Sequence, residues 1–255
     1  MPVTFARISG NSGIMIRTIF DGPIATIVLD RPAARNAIAI TAWHALADAV
    51  AALPDTTRVV LLTSAVDGIF SAGADITEFG ALQTDPAARE RFRVAMRVGI
   101  EAVARAPMPV IAVVDGACFG AAVALALACD IRVAGDGARF AVTPAKLGIG
   151  YPAKDVARLI AHIGKGQASR MLFSADAVEA DEARAIGLAD LRAPDAAIAA
   201  RALADRIACH APQAVRDLKR VLADPADPEH TAAFDAAFEG DAFAAAFAHF
   251  TRSRS

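Results

Sequence analysis

Two kinds of apolar run alternate along this chain, and their order predicts strands and helices in turn. Met15 to Phe20 and Ile24 to Asp30 are rich in β-branched residues and are separated by Asp21-Gly22-Pro23, so they predict a hairpin that Arg31-Pro32 ends. Thr41 is placed as the N-cap of a helix running through Leu53, with Pro54-Asp55 as its stop. Val59 to Thr63 then predicts a strand buried on both faces. Phe70 to Phe79 reads as strand, tight turn of small residues and the start of a helix. A polar segment around Gln83 to Pro86 leads into a long helix that ends near Arg105, and Pro107 and Pro109 bracket the approach to the next strand.

Pro109 to Cys129 carries a single charge, Asp115, and by length and apolarity could pass for a membrane span. Asp115-Gly116 divides it into unlike halves, which argues against that reading. Val110 to Val114 is short and β-branched, whereas Ala121 to Cys129 is Ala/Leu-rich with no polar face, as a wholly buried helix is. The turn Asp115-Gly-Ala-Cys-Phe-Gly120 therefore delivers the chain to a helix N-terminus, where N–H groups lack partners and the dipole is positive. Such an end suits a negative oxygen.

Ile131 to Val133 and Phe140 to Val142 predict two further strands. From Pro152 onward nothing strand-like of any length remains, only Ala-rich amphipathic helices punctuated by Gly164, Gly187, Pro194, Pro212, Pro225 and Pro228. The class is α/β with an appended helical region, and the division is drawn between residues 1–195 and 196–255. No fixed-period repeat is present. Phe234, Phe238, Phe243, Phe247 and Phe250 follow helical spacing broken once at Gly240, and either form an ordinary core face or dock on a neighbouring subunit.

Composition narrows the partners. With 255 residues, 55% of them hydrophobic, and a mean hydropathy of +0.41, the chain can bury a generous core. A net charge of −2 without blocks of like charge argues against nucleic acid and against a membrane surface, and leaves a small molecule or another copy of the chain. Cys118, Cys129 and Cys209 form no metal-ligand spacing and read as buried thiols in a reducing compartment; no metal site is expected. Met1 to Gly13 shows no secretory pattern, so a cytoplasmic location is expected.

Phe70-Ser-Ala-Gly-Ala-Asp-Ile76 and Val114-Asp-Gly-Ala-Cys-Phe-Gly-Ala121, with Arg31-Pro-Ala-Ala-Arg-Asn-Ala37 upstream, resemble the crotonase superfamily, the enoyl-CoA hydratase/isomerase family. The resemblance continues through Cys129-Asp-Ile-Arg-Val-Ala134, Leu147-Gly148 and Ala180-Asp-Glu-Ala-Arg-Ala-Ile-Gly-Leu188, in order and over nearly the whole chain. It implies a spiral of ββα units over 1–195 holding an acyl-CoA site, with the helices of 196–255 serving trimerisation, so that a homotrimer or a homohexamer is expected. It further implies a lyase or isomerase that stabilises an enolate in a two-amide oxyanion hole. The donors would be the backbone N–H groups of Ala74 and Ala121. Ala72, Ala74, Asp75, Ile76, Thr77 and Ala121 would meet the coenzyme A portion, with Asp75 and Ile76 near the adenine. Coenzyme A would come as part of the substrate, with no separate cofactor.

The chain departs from the hydratases of the family at both acid/base positions. The two glutamates that add water across the double bond correspond to Ala124 and Pro144, neither of which can carry a proton. General acid/base help is typically worth ~10²–10⁴-fold, so ordinary hydratase activity is expected to be absent or badly weakened. Tyr151, the sole Tyr, and Asp155 lie in the following Gly/Pro-rich turn region and are candidates to donate or relay a proton; Glu78, one helical turn after Ala74, is a third. Against these stand plainer roles: packing for Tyr151, and helix-dipole partners for Asp155 and Glu78. Lys146 and Lys154 read as solvent-facing or phosphate-facing. His44 sits in an amphipathic helix as a surface or core residue. His162, His210, His230 and His249 are scattered without i, i+4 partners, and Ser71 has no elbow motif or evident partner to make it a nucleophile. Three functions stay open: an enzyme acting on an acyl-CoA thioester, an acyl-CoA-binding protein with little or no catalysis, and an α/β domain binding some other anionic ligand at its helix N-termini.

Overall fold

The computed structural model describes residues 6–7 and 15–252, so most of Met1 to Gly13 lies outside the described residues. The hairpin is present as β2 (Met15–Asp21) and β3 (Ile24–Asp30), preceded by a two-residue strand, β1 (Ala6–Arg7), on the edge of β2. After helix α1 (Ile40–Ala51) the chain enters a repeating plan in which one strand joins a large sheet, the next joins a small one, and a helix returns. The pairs are β4 (Val59–Ser64) with β5 (Ile69–Ser71), β6 (Val110–Val114) with β7 (Ala117–Phe119), and β8 (Ile131–Ala134) with β9 (Arg139–Ala141). Their helices are the short α2 (Phe79–Leu82) with the long α3 (Pro86–Ala104), then α4 (Ala121–Ala128), then α5 (Ala153–Ser174), which breaks at Gly164 where φ is +72°. This is the expected ββα spiral.

The large sheet runs β1-β2-β3-β4-β6-β8-β11 and is parallel from β3 onward; the small one runs β10-β9-β7-β5. The strands β10 (Val178–Glu179) and β11 (Leu191–Arg192) flank α6 (Ala180–Ile186) and correct the reading that no strand follows Pro152. Each is two residues long, too short to show any periodicity. The strand β7 likewise sits inside what reads as a pure turn, because its partners in the small sheet, not its own composition, make it extended.

Alternate residues of the large sheet serve two cores. Val60 and Leu62 face inward with Ala112 and Val114, while Val59, Leu61, Ile111 and Val113 face α7 (Ala196–Ala208). That helix presents Ala196, Ala200, Ala204 and Ala208, one per turn, so it lies close on the sheet. The first helix of the region read as 196–255 therefore packs on the large sheet. Beyond it run α8 (Pro212–Ala223), α9 (Glu229–Glu239) and α10 (Asp241–Arg252). Every residue of α4 is buried; burying Leu125 and Leu127 alone contributes about 1.5–3 kcal/mol each. Among the described residues no helix is long and apolar enough to cross a membrane.

Two further corrections concern side chains. The N-cap of α1 is Ala39, not Thr41, and has no side-chain cap of its own; the Glu78 carboxylate accepts from the Ile40 N–H at 2.9 Å instead. The helix accordingly starts earlier and ends at Ala51. Phe234, Phe238, Phe243 and Phe247 do not form a core face: they are 41–65% exposed and pack on one another, with centroids 5.1–5.7 Å apart. The side chain of Phe250 lies outside those described. Cys118 and Cys129 are buried, and burial pushes the Cys129 thiol up to about 12, whereas Cys209 is exposed.

Candidate active site

Parallel pairing of β5 with β7 sets the C-terminal ends of both strands side by side, so the loops that leave them, at 72–75 and at 120–121, are neighbours. How closely they approach depends on Gly73. Its φ is +95°, and a Cβ there would lie 2.5 Å from the Phe119 carbonyl oxygen and 3.0 Å from the Ala121 nitrogen. Any side chain would push the loops apart.

The 72–75 loop is fixed from behind by main-chain bonds to residues 35–38. Ala72 N–H donates to Arg35 O at 2.9 Å, Ile38 N–H to Gly73 O at 2.7 Å, and Asp75 N–H to Ile38 O at 3.0 Å. In this bridge Gly73 O and Asp75 N–H face Ile38, so the N–H of Ala74 between them is directed the other way. Ala121 opens α4, where an N–H has no intrahelical acceptor. Among the described residues neither the Ala74 nor the Ala121 N–H has a backbone acceptor. Both residues line one apolar cleft of about 150 Å³.

Side chains that carry no chemistry of their own hold this geometry. Ser71 Oγ donates to Asn36 O at 2.6 Å and accepts from Gly73 N–H at 3.1 Å, which accounts for its hydroxyl without a nucleophilic role. Asn36, in the left-handed region at φ +54°, accepts from Arg31 N–H and donates to Ser64 Oγ at 2.7 Å and Phe70 O at 3.0 Å. Arg31 pairs with Asp75 at 2.6 Å, and Asp75 also accepts from Thr77 N–H and Oγ1. Burial pulls the Asp75 carboxyl upward, but the bonds from Thr77 and Arg31 outweigh it and hold the group below its usual range.

The candidate acid/base residues separate. Tyr151 lines the cleft, and its hydroxyl donates to Gly120 O at 2.9 Å, one residue before Ala121. Burial, with the Asp155 charge adding to it, drives the phenol well above its usual range, so it stays protonated at neutral pH and is a weaker acid than a free phenol. Asp155 does not line the cleft. It is buried in the first turn of α5, 3.5 Å from Arg158, in a separate recess with Arg93, Arg97 and Glu101. Burial raises its carboxyl, and Arg158 opposes that shift. Glu78 is occupied at the start of α1 and is likewise outside the lining.

Lys154 is exposed, as a solvent-facing charge would be, and also pairs with Glu101 at 2.6 Å; Arg158 pairs with the same carboxylate at 3.1 Å, tying α5 to α3. Of the expected coenzyme A contacts, Ala72, Ala74, Ile76 and Ala121 line the cleft, whereas Asp75 and Thr77 shape the turn behind it. Ala124 is buried within α4, and Pro144 is part of the cleft wall. His44 is exposed, and His162 faces buried Arg132 at 3.4 Å.

Sequence reasoning missed Arg31 and Asn36 as positioning residues although both stood in a quoted motif. It also missed Phe92 and Met96, whose i, i+4 spacing on α3 was the available signal.

A spiral of ββα units thus brings to one apolar cleft two residues, Ala74 and Ala121, whose N–H groups have no backbone acceptor among the described residues. The family model for enoyl-CoA hydratase/isomerase matches residues 20–254, and the chain belongs to that family. It is 30% identical to the short-chain-enoyl-CoA hydratase of Clostridium acetobutylicum, over 89% of this chain and 87% of that one. It is 35% identical to the mitochondrial methylglutaconyl-CoA hydratase of Mus musculus over 65% of this chain, and spans about half the length of that relative. A crystal structure of an enoyl-CoA hydratase/isomerase family protein from Hyphomonas neptunium superposes with a TM-score of 0.88 at 36% identity, covering 93% of this chain and 95% of that one.

Proposed function

We propose that the cleft holds an acyl-CoA thioester with its carbonyl oxygen between the N–H groups of Ala74 and Ala121, and that the protein acts on it through the enolate these donors stabilise. One observation carries the reading: two residues whose amides have no acceptor among the described residues line a single apolar cleft, one of them at the positive end of a buried helix. Ile76, exposed at the cleft, offers apolar surface to the adenine, while Asp75 and Thr77 hold the loop in shape. Tyr151 is the one lining residue whose side chain ionises. It acts as a proton donor near the thioester, and only after its hydroxyl leaves Gly120 O.

The lack of any carboxylate in the lining favours a second reading, an acyl-CoA-binding protein with little or no catalysis. Crotonyl-CoA hydration, followed by loss of enoyl-thioester absorbance, is expected to be negligible under both. Acetoacetyl-CoA is expected to bind and to shift toward its enolate, read as added near-ultraviolet absorbance. Rapid hydration would overturn the loss of the two-carboxylate mechanism, and failure to bind any CoA thioester would overturn both readings. Turnover of β,γ-enoyl, malonyl-type or halogenated acyl-CoA separates the enzyme from the binder.

We also propose that the exposed phenylalanines of α9 and α10 pack against another copy, giving a homotrimer or homohexamer. Light scattering is expected to return three or six times the 26.3 kDa chain mass, and a monomer at micromolar concentration would sink the idea.

A further inference from the structure

Phe79, Phe92, Met96, Pro144, Leu147 and Ile149 give the cleft lining its larger apolar side chains. Phe79 and Phe92 meet edge to face, 5.4 Å between centroids, which makes their side a firm apolar wall. Thr143 and Tyr151 bring the hydroxyls of the lining, and no lining side chain carries a charge. Arg93 and Arg97 belong to a different recess, of about 10 Å³, which shares only Met96 and Pro152 with the cleft and already contains Asp155 and Glu101. Lys154 and Arg158 are both taken up by Glu101. Lys146, on the turn Pro144–Leu147, is exposed.

We infer that the cleft selects uncharged, aliphatic acyl groups and discriminates against acyl groups that end in a carboxylate. The inference rests on the thioester reading above and deepens it. A methylene chain laid along these walls loses water at no cost to any polar group. A terminal carboxylate in the same place exchanges its hydration for aromatic and aliphatic surface, with no cationic side chain in the lining and, in that reading, with the Ala74 and Ala121 N–H groups already taken by the thioester carbonyl.

Hexanoyl-CoA and adipyl-CoA test this, since they share chain length and the coenzyme and differ in the terminal group. In calorimetric titrations of the full-length protein, hexanoyl-CoA is expected to bind at least tenfold more tightly than adipyl-CoA, with acetyl-CoA as the reference for the coenzyme contribution. The difference is expected to persist at high ionic strength, because salt screens distant charges and leaves burial untouched. Equal affinities, a preference for adipyl-CoA, or a difference that vanishes in salt overturns the inference while leaving the thioester reading intact. If none of the three thioesters binds, the thioester reading fails and this inference falls with it.

Discussion

Replacing Ala121 by proline is expected to lower turnover of an acyl-CoA substrate by about 10²–10³-fold, the effect of deleting one oxyanion donor. Proline suits the test because Ala121 is the first residue of α4, a position where a fixed φ near −65° is already helical and the N–H has no intrahelical acceptor to lose. What disappears is the N–H that the proposed function assigns to the thioester oxygen. The helix is expected to survive, so the circular dichroism spectrum and the cooperative melt should stay close to those of the parent. Under the binding-only reading the same change is expected to abolish the enolate absorbance of bound acetoacetyl-CoA. A variant that folds normally and keeps full turnover, or full enolate absorbance, removes Ala121 from the site.

The second large effect is expected from Arg31→Gln. Asp75, with its side chain 5% exposed, would keep its two bonds from Thr77 and lose its counter-charge. Breaking a wholly buried pair costs about 3–5 kcal/mol. Arg31 is a quarter exposed, which reduces the figure to about 2 kcal/mol, or about 4–8 °C in Tm for a chain of this size.

The pH dependence has a definite sign. In the parent the folded-state Asp75 carboxyl sits below its ordinary value of 3.8, so its stabilisation is fully present above that value and is lost as pH falls through the lower folded one. In the variant the lowering from Arg31 is gone while the bonds from Thr77 remain, so the carboxyl lies higher than in the parent and takes up its proton sooner on acidification. The Tm gap between the two proteins is therefore expected to hold from pH 7 down to about 4 and to narrow as pH falls below 3.8. A gap that widens over that range, or no gap at pH 7, contradicts this account of the pair.

Long-range pairing limits what local pattern can show. The strands β2, β3, β4 and β6 and the buried helix α4 were legible, because β-branched runs and an all-apolar helix declare themselves within a dozen residues. The strand at Ala117–Phe119 was not, since it is extended by neighbours fifty residues before and twenty after. The two amides were legible only through family resemblance and the helix N-terminus at Ala121, as a backbone donor leaves no letter in the sequence. Glu78 shows the opposite failure: a carboxylate one turn from Ala74 reads as a base, yet it caps a helix that starts at Ile40, thirty-eight residues upstream.

Because the groups that face the thioester in this reading belong to the peptide chain, the identities of residues 74 and 121 leave the donors in place. The residue that cannot drift is Gly73, which contributes no atom to the hole and fixes its width by what it lacks. Reaction type in such a scaffold is free to change at the walls, because side chains there can be exchanged without moving the backbone that Gly73 lets close up.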